Sequence, residues 1–186
     1  QWTISNGNCT NTSATVNITR EASPTVANAG SDQTICTTTA TLNGNTATVG
    51  TGAWVLVSGT GNITNSASAS TTVTNLGIGT NIFKWVISNG SCVASEANVN
   101  ITREAPPTTA TVGGNQTTCE TIATLTGNTP TTGTGQWSVV SGSGTITDPA
   151  NPTTQVANLG VGVNIFRWTI TNLCGTSSAS ISITKE

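Results

Sequence analysis

Apolar and polar residues alternate with a period of two along much of this chain, in short runs closed by Asn, Gly and Ser. The clearest run is Asn81-Ile82-Phe83-Lys84-Trp85-Val86-Ile87, which leads through Ser88-Asn89-Gly90-Ser91 to Cys92. Side chains on a strand point alternately to its two faces, so Phe83, Trp85 and Ile87 share one face and Lys84 takes the other. The same run begins the chain, from Gln1 and Trp2 to Asn6-Gly7-Asn8-Cys9, and returns from Asn164 to Cys174. Trp2, Trp85 and Trp168 are 83 residues apart at each step. A period of this length is the mark of an array of similar domains.

Other runs complete the unit. Asp32-Gln33-Thr34-Ile35-Cys36 reads as an early edge strand, followed by Ala40-Thr41-Leu42-Asn43 and by Ala53-Trp54-Val55-Leu56-Val57 between paired glycines. Short strands at Ile63 and Val73 and a closing strand at Asn98-Val99-Asn100-Ile101-Thr102 bring the number to about seven. No helical periodicity intervenes. The expected fold is all-β: tandem immunoglobulin-like β-sandwiches. Residues 23–105 and 106–186 are expected to be complete repeats, and 1–22 the last two strands of a truncated one, with Val16 to Thr19 as the second. Comparing copies assigns the faces: Val55 becomes Ser138 where Trp54 stays Trp137, so the tryptophan side is placed inward, with Leu56 and Val139 on it. The expected core is Trp54, Leu56, Phe83, Trp85, Ile87, Val99 and Ile101, with Trp137, Val139, Phe166, Trp168 and Ile170 in the next repeat.

Composition narrows the function. Only 6% of residues are charged and the net charge is -2, which leaves no basic patch for nucleic acid or anionic lipid. No apolar run approaches membrane-spanning length, so no membrane insertion of this segment is expected. The chain opens in mid-repeat at Gln1 and contains no Met, and reads as an internal segment of something longer. It has no His, no Tyr and seven acidic residues, of which Glu21 and Glu104 stand at repeat junctions. Asp32 becomes Asn115 in the next copy, and Asp148 answers to Asn65. Catalytic residues, cofactors and metal ligands are therefore not expected, and a calcium site built on Asp32 could not recur.

Each complete repeat carries two cysteines, Cys36 with Cys92 and Cys119 with Cys174. Bridges within each repeat are the simplest pairing and leave Cys9 unpaired. The alternative stems from topology. The turn after the first strand and the turn before the last lie at opposite poles of an immunoglobulin-like sandwich, which favours Cys36 with Cys174 across the junction. Either bridge implies an oxidising compartment. The junctions, Glu21-Ala22-Ser23-Pro24 and Glu104-Ala105-Pro106-Pro107, lack Gly and carry Pro, so neighbouring repeats should be held semi-rigidly.

The run Val26-Ala27-Asn28-Ala29-Gly30-Ser31-Asp32-Gln33-Thr34-Ile35-Cys36, then Ala40 to Gly44, then Asn81 to Cys92, resembles the PKD-like, immunoglobulin-like repeats of Bacteroidota cell-surface adhesins. Among these, the very large gliding-motility adhesins of flavobacteria are the nearest in pattern. The resemblance implies export by the type IX secretion system, attachment at the outer membrane, and the gliding machinery as a partner. From the residues, three functions stand beside one another: a stalk segment with no enzymatic activity whose partners are neighbouring repeats, a module whose exposed aromatics or Thr faces bind surface polysaccharide, and an accessory region of a secreted hydrolase.

Overall fold

The computed structural model describes residues 1–186, and every regular element in it is a strand. A short hairpin comes first: β1 (Trp2–Ile4) and β2 (Thr12–Ala14) pair antiparallel, with Trp2 opposite Ala14. The strand expected at Val16 to Thr19 does not form; pairing stops at Ala14 because the same register would set Val16 against a position before Gln1.

Seven strands follow: β3 (Gln33–Ile35), β4 (Ala40–Asn43), β5 (Thr51–Ser58), β6 (Asn62–Ile63), β7 (Ser70–Thr74), β8 (Gly79–Ser88) and β9 (Ser95–Arg103). They build a four-stranded sheet in the order β3-β9-β8-β5 and a three-stranded sheet in the order β4-β7-β6. All pairs are antiparallel except β3 with β9. The order repeats in β10 (Gln116–Thr118), β11 (Ala123–Thr126), β12 (Thr134–Ser141), β13 (Thr145–Ile146), β14 (Thr153–Ala157), β15 (Gly162–Asn172) and β16 (Gly175–Lys185). Each set is an immunoglobulin-like sandwich.

Two separate cores hold the sandwiches together. The first joins Leu42 and Val73 from one sheet with Trp54, Phe83, Trp85, Ile87, Val99 and Ile101 from the other. The second repeats it with Leu125, Val156, Trp137, Phe166, Trp168, Ile170, Ile181 and Ile183. The tryptophans are opposite one another across β5 and β8, and their rings lie 5.0 Å apart for Trp54 and Trp85 and 5.3 Å apart for Trp137 and Trp168, tilted by 42° in both. Tilted aromatic pairs at this spacing add to the burial of the rings themselves. Each indole N–H has a partner: Trp85 Nε1 donates to Asn45 O at 3.1 Å, and Trp54 Nε1 to Ala69 O at 3.1 Å. Gly52 and Gly135 lie flat against the Trp85 and Trp168 rings, where a Cβ would collide with them.

Leu56 and Val139 correct the expected core. Alternation sets Leu56 opposite Phe83, yet it is 36% exposed, and Val139 is 41% exposed. β5 is the outermost strand of its sheet, its register shifts after Leu56, and neither residue belongs to a core cluster. Period two fixes the face a side chain takes, not whether anything covers it.

A buried polar plug closes each sandwich, on the inward face of β8 and β15 two residues before Phe83 and Phe166. Asn81, 2% exposed, accepts from Thr60 N at 2.8 Å and donates to Gly77 O, Gly79 O and Ile101 O at 3.0, 3.1 and 3.2 Å. Asn164 makes the same four contacts with Ser143, Gly160, Gly162 and Ile183. All hydrogen-bonding groups of the amide are satisfied, which is what makes its burial tolerable. Gly59, at φ +83°, brings the backbone against Asn81 where no side chain would fit. The signal that could have found it is the recurrence of Asn81 as Asn164 at the repeat distance, inside an apolar strand.

Candidate functional site: the stapled junction

β3 runs parallel to β9, so it ends at the pole where the chain leaves the first sandwich. Cys36 follows it there. Cys92 sits in the turn between β8 and β9, at the opposite pole. The within-repeat pairing of Cys36 with Cys92 is therefore not made, and neither is that of Cys119 with Cys174: no rotamer can carry a thiol from pole to pole. The bridge that forms is Cys36–Cys174, between residues 138 apart in sequence with Cα atoms 5.3 Å apart. Cys174 lies in the turn between β15 and β16, at the pole where the chain enters the second sandwich. Entry pole meets exit pole, and the disulfide spans the joint. Cys9, Cys92 and Cys119 are free.

The linker is fastened from both sides. Glu104 N donates to Ile35 O at 2.8 Å, tying the chain exit to the end of β3. Asn172 Nδ2 donates to Ala105 O at 2.8 Å, tying the next residue to the turn of the second sandwich. The Cys174 sulfur lies 3.7 Å from Glu104 O. The joint between residues 1–22 and the first sandwich repeats this on one side only. Asn89 Nδ2 donates to Ala22 O at 2.8 Å, Ser91 N donates to the Glu21 carboxylate at 2.8 Å, and the Cys92 thiol lies 3.5 Å from Ala22 O.

Elsewhere the polar groups serve the fold. Both oxygens of Asp32 are taken by Asn100, from its N–H at 2.8 Å and its Nδ2 at 2.9 Å. These bonds, the backbone one first, hold the Asp32 carboxyl below its ordinary 3.8. A carboxyl depressed in the folded state contributes stability above its unfolded pKa and loses it as pH falls through the folded one. Asn115 makes the corresponding bond from Ser182 N at 3.0 Å with no charge to titrate. Melting curves above and below pH 3.8 should therefore show the gap between the parent chain and Asp32→Asn shrinking on the acid side. A gap independent of pH would refute the clasp.

No three His, Cys, Asp or Glu side chains gather closely enough to hold a metal ion. The largest surface hollow, about 510 Å³, lies among Thr134, Gln136, Trp137, Ser138 and Thr171 and has no ionisable side chain in its wall. Trp54, Trp85, Trp137 and Trp168 are all at most 3% exposed, so the complete repeats offer no tryptophan face to a sugar ring. Trp2 is 73% exposed, but it occupies the position that Trp85 fills in a core. Lys84 pairs with Glu96 at 2.7 Å on the outer face of an interior strand.

No family model and no curated protein matches this sequence. Solved structures do. The chain is similar to Sidekick-1 immunoglobulin domains 1–4, with a TM-score of 0.59 at 14% identity, over 88% of this chain and 48% of that one. The titin I-band fragment I67–I69 gives 0.60 at 14% identity, over 89% of this chain and 66% of that one. The fold is that of tandem immunoglobulin domains. The four N-terminal domains of a Dscam1 isoform match at 0.53 and 13% identity, over 91% of this chain and 47% of theirs. The chain thus spans about half to two thirds of the length of these structures, and at such identities the likeness carries the fold alone.

Proposed function

We propose that this chain is a stalk segment, without enzymatic activity, of a large bacterial cell-surface adhesin that works in surface attachment and gliding motility. Residues 23–105 and 106–186 are its complete repeats, and their partners are neighbouring repeats of the same kind. The observation that carries the reading is the Cys36–Cys174 bridge: one covalent bond across a joint already fastened by Glu104 and Asn172 holds two sandwiches in fixed relation. A stalk needs that rigidity; an enzyme or a sugar-binding module does not. A persistent disulfide belongs to an oxidising compartment, which supports an extracellular location, and the sequence resemblance supports attachment at the outer membrane. The tandem immunoglobulin fold and the 83-residue repeat support an array, and the sequence resemblance supports the adhesin, its type IX export and the gliding machinery as its motor.

Antibodies raised against this chain should label intact cells of the source organism, and the label should travel along the cell during gliding. Loss of the encoding gene should abolish attachment and spreading. Labelling that requires cell lysis would sink the reading, and so would saturable glycan binding by this segment.

A further inference from the structure

The cysteines fall into two geometric kinds. Cys36 and Cys119 end the first strand of a four-stranded sheet, at the exit pole; Cys9, Cys92 and Cys174 lie in the turn before the last strand, at the entry pole. The bridge present joins an exit-pole cysteine to the entry-pole cysteine of the repeat that follows. Under that rule none of the free cysteines has a partner in this chain. Yet their surroundings are those of the bridged pair. Glu186 N donates to Thr118 O at 3.0 Å beside Cys119, as Glu104 N donates to Ile35 O at 2.8 Å beside Cys36. Asn89 Nδ2 holds Ala22 O at 2.8 Å beside Cys92, as Asn172 Nδ2 holds Ala105 O beside Cys174 at the same distance. Cys119 is exposed at the pole that a further repeat would meet.

We infer that Cys119 and Cys92 are the open halves of two more junction staples. Cys119 takes the entry-turn cysteine of a further copy of this repeat, and Cys92 takes an exit-strand cysteine of another. The inference rests on the reading of the chain as an array and names the covalent partner of each joint. Two thiols become one disulfide with loss of two protons and two electrons, accepted by a small-molecule or enzyme disulfide that is reduced to two thiols. The attack of one thiolate gives a mixed disulfide, and the second thiolate displaces the leaving thiol.

With both joints closed, the load path through a repeat changes. Tension entering at Ala22 and Cys92 leaves at Cys36 and Ala105, and the covalent routes between them are residues 22–36 and β9 with its flanks, 92–105. Both routes already run from pole to pole. Residues 37–91, which hold β4 to β8, carry no tension, so such an array cannot lengthen by unfolding while its bridges hold.

The test extends the full chain at its C-terminus with a second copy of 105–186, which restores the Ala105 that Asn172 holds at the joint, and folds it in a glutathione and glutathione-disulfide buffer. The added copy carries Cys119→Ser, so that a single Cys119 remains, and Leu173→Val, which marks its entry-turn peptide by mass. Non-reducing peptide mapping should find the Cys119 peptide joined to the mass-marked entry-turn peptide alongside the Cys36 staple, and alkylation of Cys119 should fall at least tenfold against the unextended chain. The same extended chain carrying Cys119→Ser in both copies reports folding of the added copy through its tryptophan emission. Cys119 that stays open to alkylation overturns the inference, and so does Cys119 joined to Cys9, Cys92 or the unmarked Cys174. Such a failure would leave surface labelling, and the stalk, unaffected.

Discussion

Pulled from its two ends in its oxidised form, this chain should reach a contour roughly 480 Å shorter than after reduction, because the staple withholds 138 residues at about 3.5 Å each. Tension enters at Gln1, passes along the backbone to Cys36, crosses the sulfur atoms to Cys174 and leaves through β16. Everything from residue 37 to residue 173 lies outside that path, including most of both cores. In a single-molecule stretching experiment the unfolding steps of both sandwiches should be missing until a reductant is added. Cys36→Ser should behave as the reduced chain does under all conditions. In solution the same substitution should lower stability by up to about 5 kcal/mol, the chain-entropy value for a closed loop of this length. It should also separate the two sandwiches into independent transitions. Full-length unfolding steps in the oxidised protein would mean that the staple does not form.

Trp85→Ala should cost about 3–5 kcal/mol, a large part of what a domain of this size has to spare. Trp85 is 1% exposed and stacks on Trp54, while its N–H satisfies Asn45 O and its ring covers Gly44 and Gly52. Removing it opens a cavity between the sheets, leaves a carbonyl unpaired and strips the floor from two backbone segments. The second sandwich has its own core around Trp168, so it should keep its own transition in chemical denaturation of Trp85→Ala made in a Cys36→Ser background. Trp85→Phe should cost less, because it keeps most of the ring contact. If Trp85→Ala shifts the first transition by less than about 1 kcal/mol, the ring is not the centre of the core that its burial implies.

Much of the first-order structure was legible in the chain. Alternation at Phe83, Trp85 and Ile87 set the inward face of β8, and copy-to-copy comparison placed Trp54 and Trp137 correctly, because the residues that face a core are the ones a repeat keeps apolar. The same logic failed at Leu56 and Val139. A face is a local property of a strand, whereas cover depends on what the partner sheet places above it, and an outermost strand with a bulge runs out of cover. The plug at Asn81 was half legible: period two from Phe83 sets it on the inward face, but the groups that satisfy a buried amide there, from Gly77, Gly79, Ile101 and Thr60, meet only in the fold.

The residues at the junction divide the same way. By itself, the sequence determined that the chain repeats every 83 residues, that proline stands where one copy passes to the next, and that each copy brings a strand-end and a turn cysteine, since period, proline and cysteine positions are all one-dimensional facts. Which sulfur meets which was decided only in three dimensions. Parallel pairing of β3 with β9 sends Cys36 to the exit pole, and the reversal from β15 to β16 returns Cys174 to the entry pole of the next sandwich. Distance along the chain carries no record of that, because a disulfide forms between side chains a few ångströms apart in space, and here 138 residues of backbone separate them.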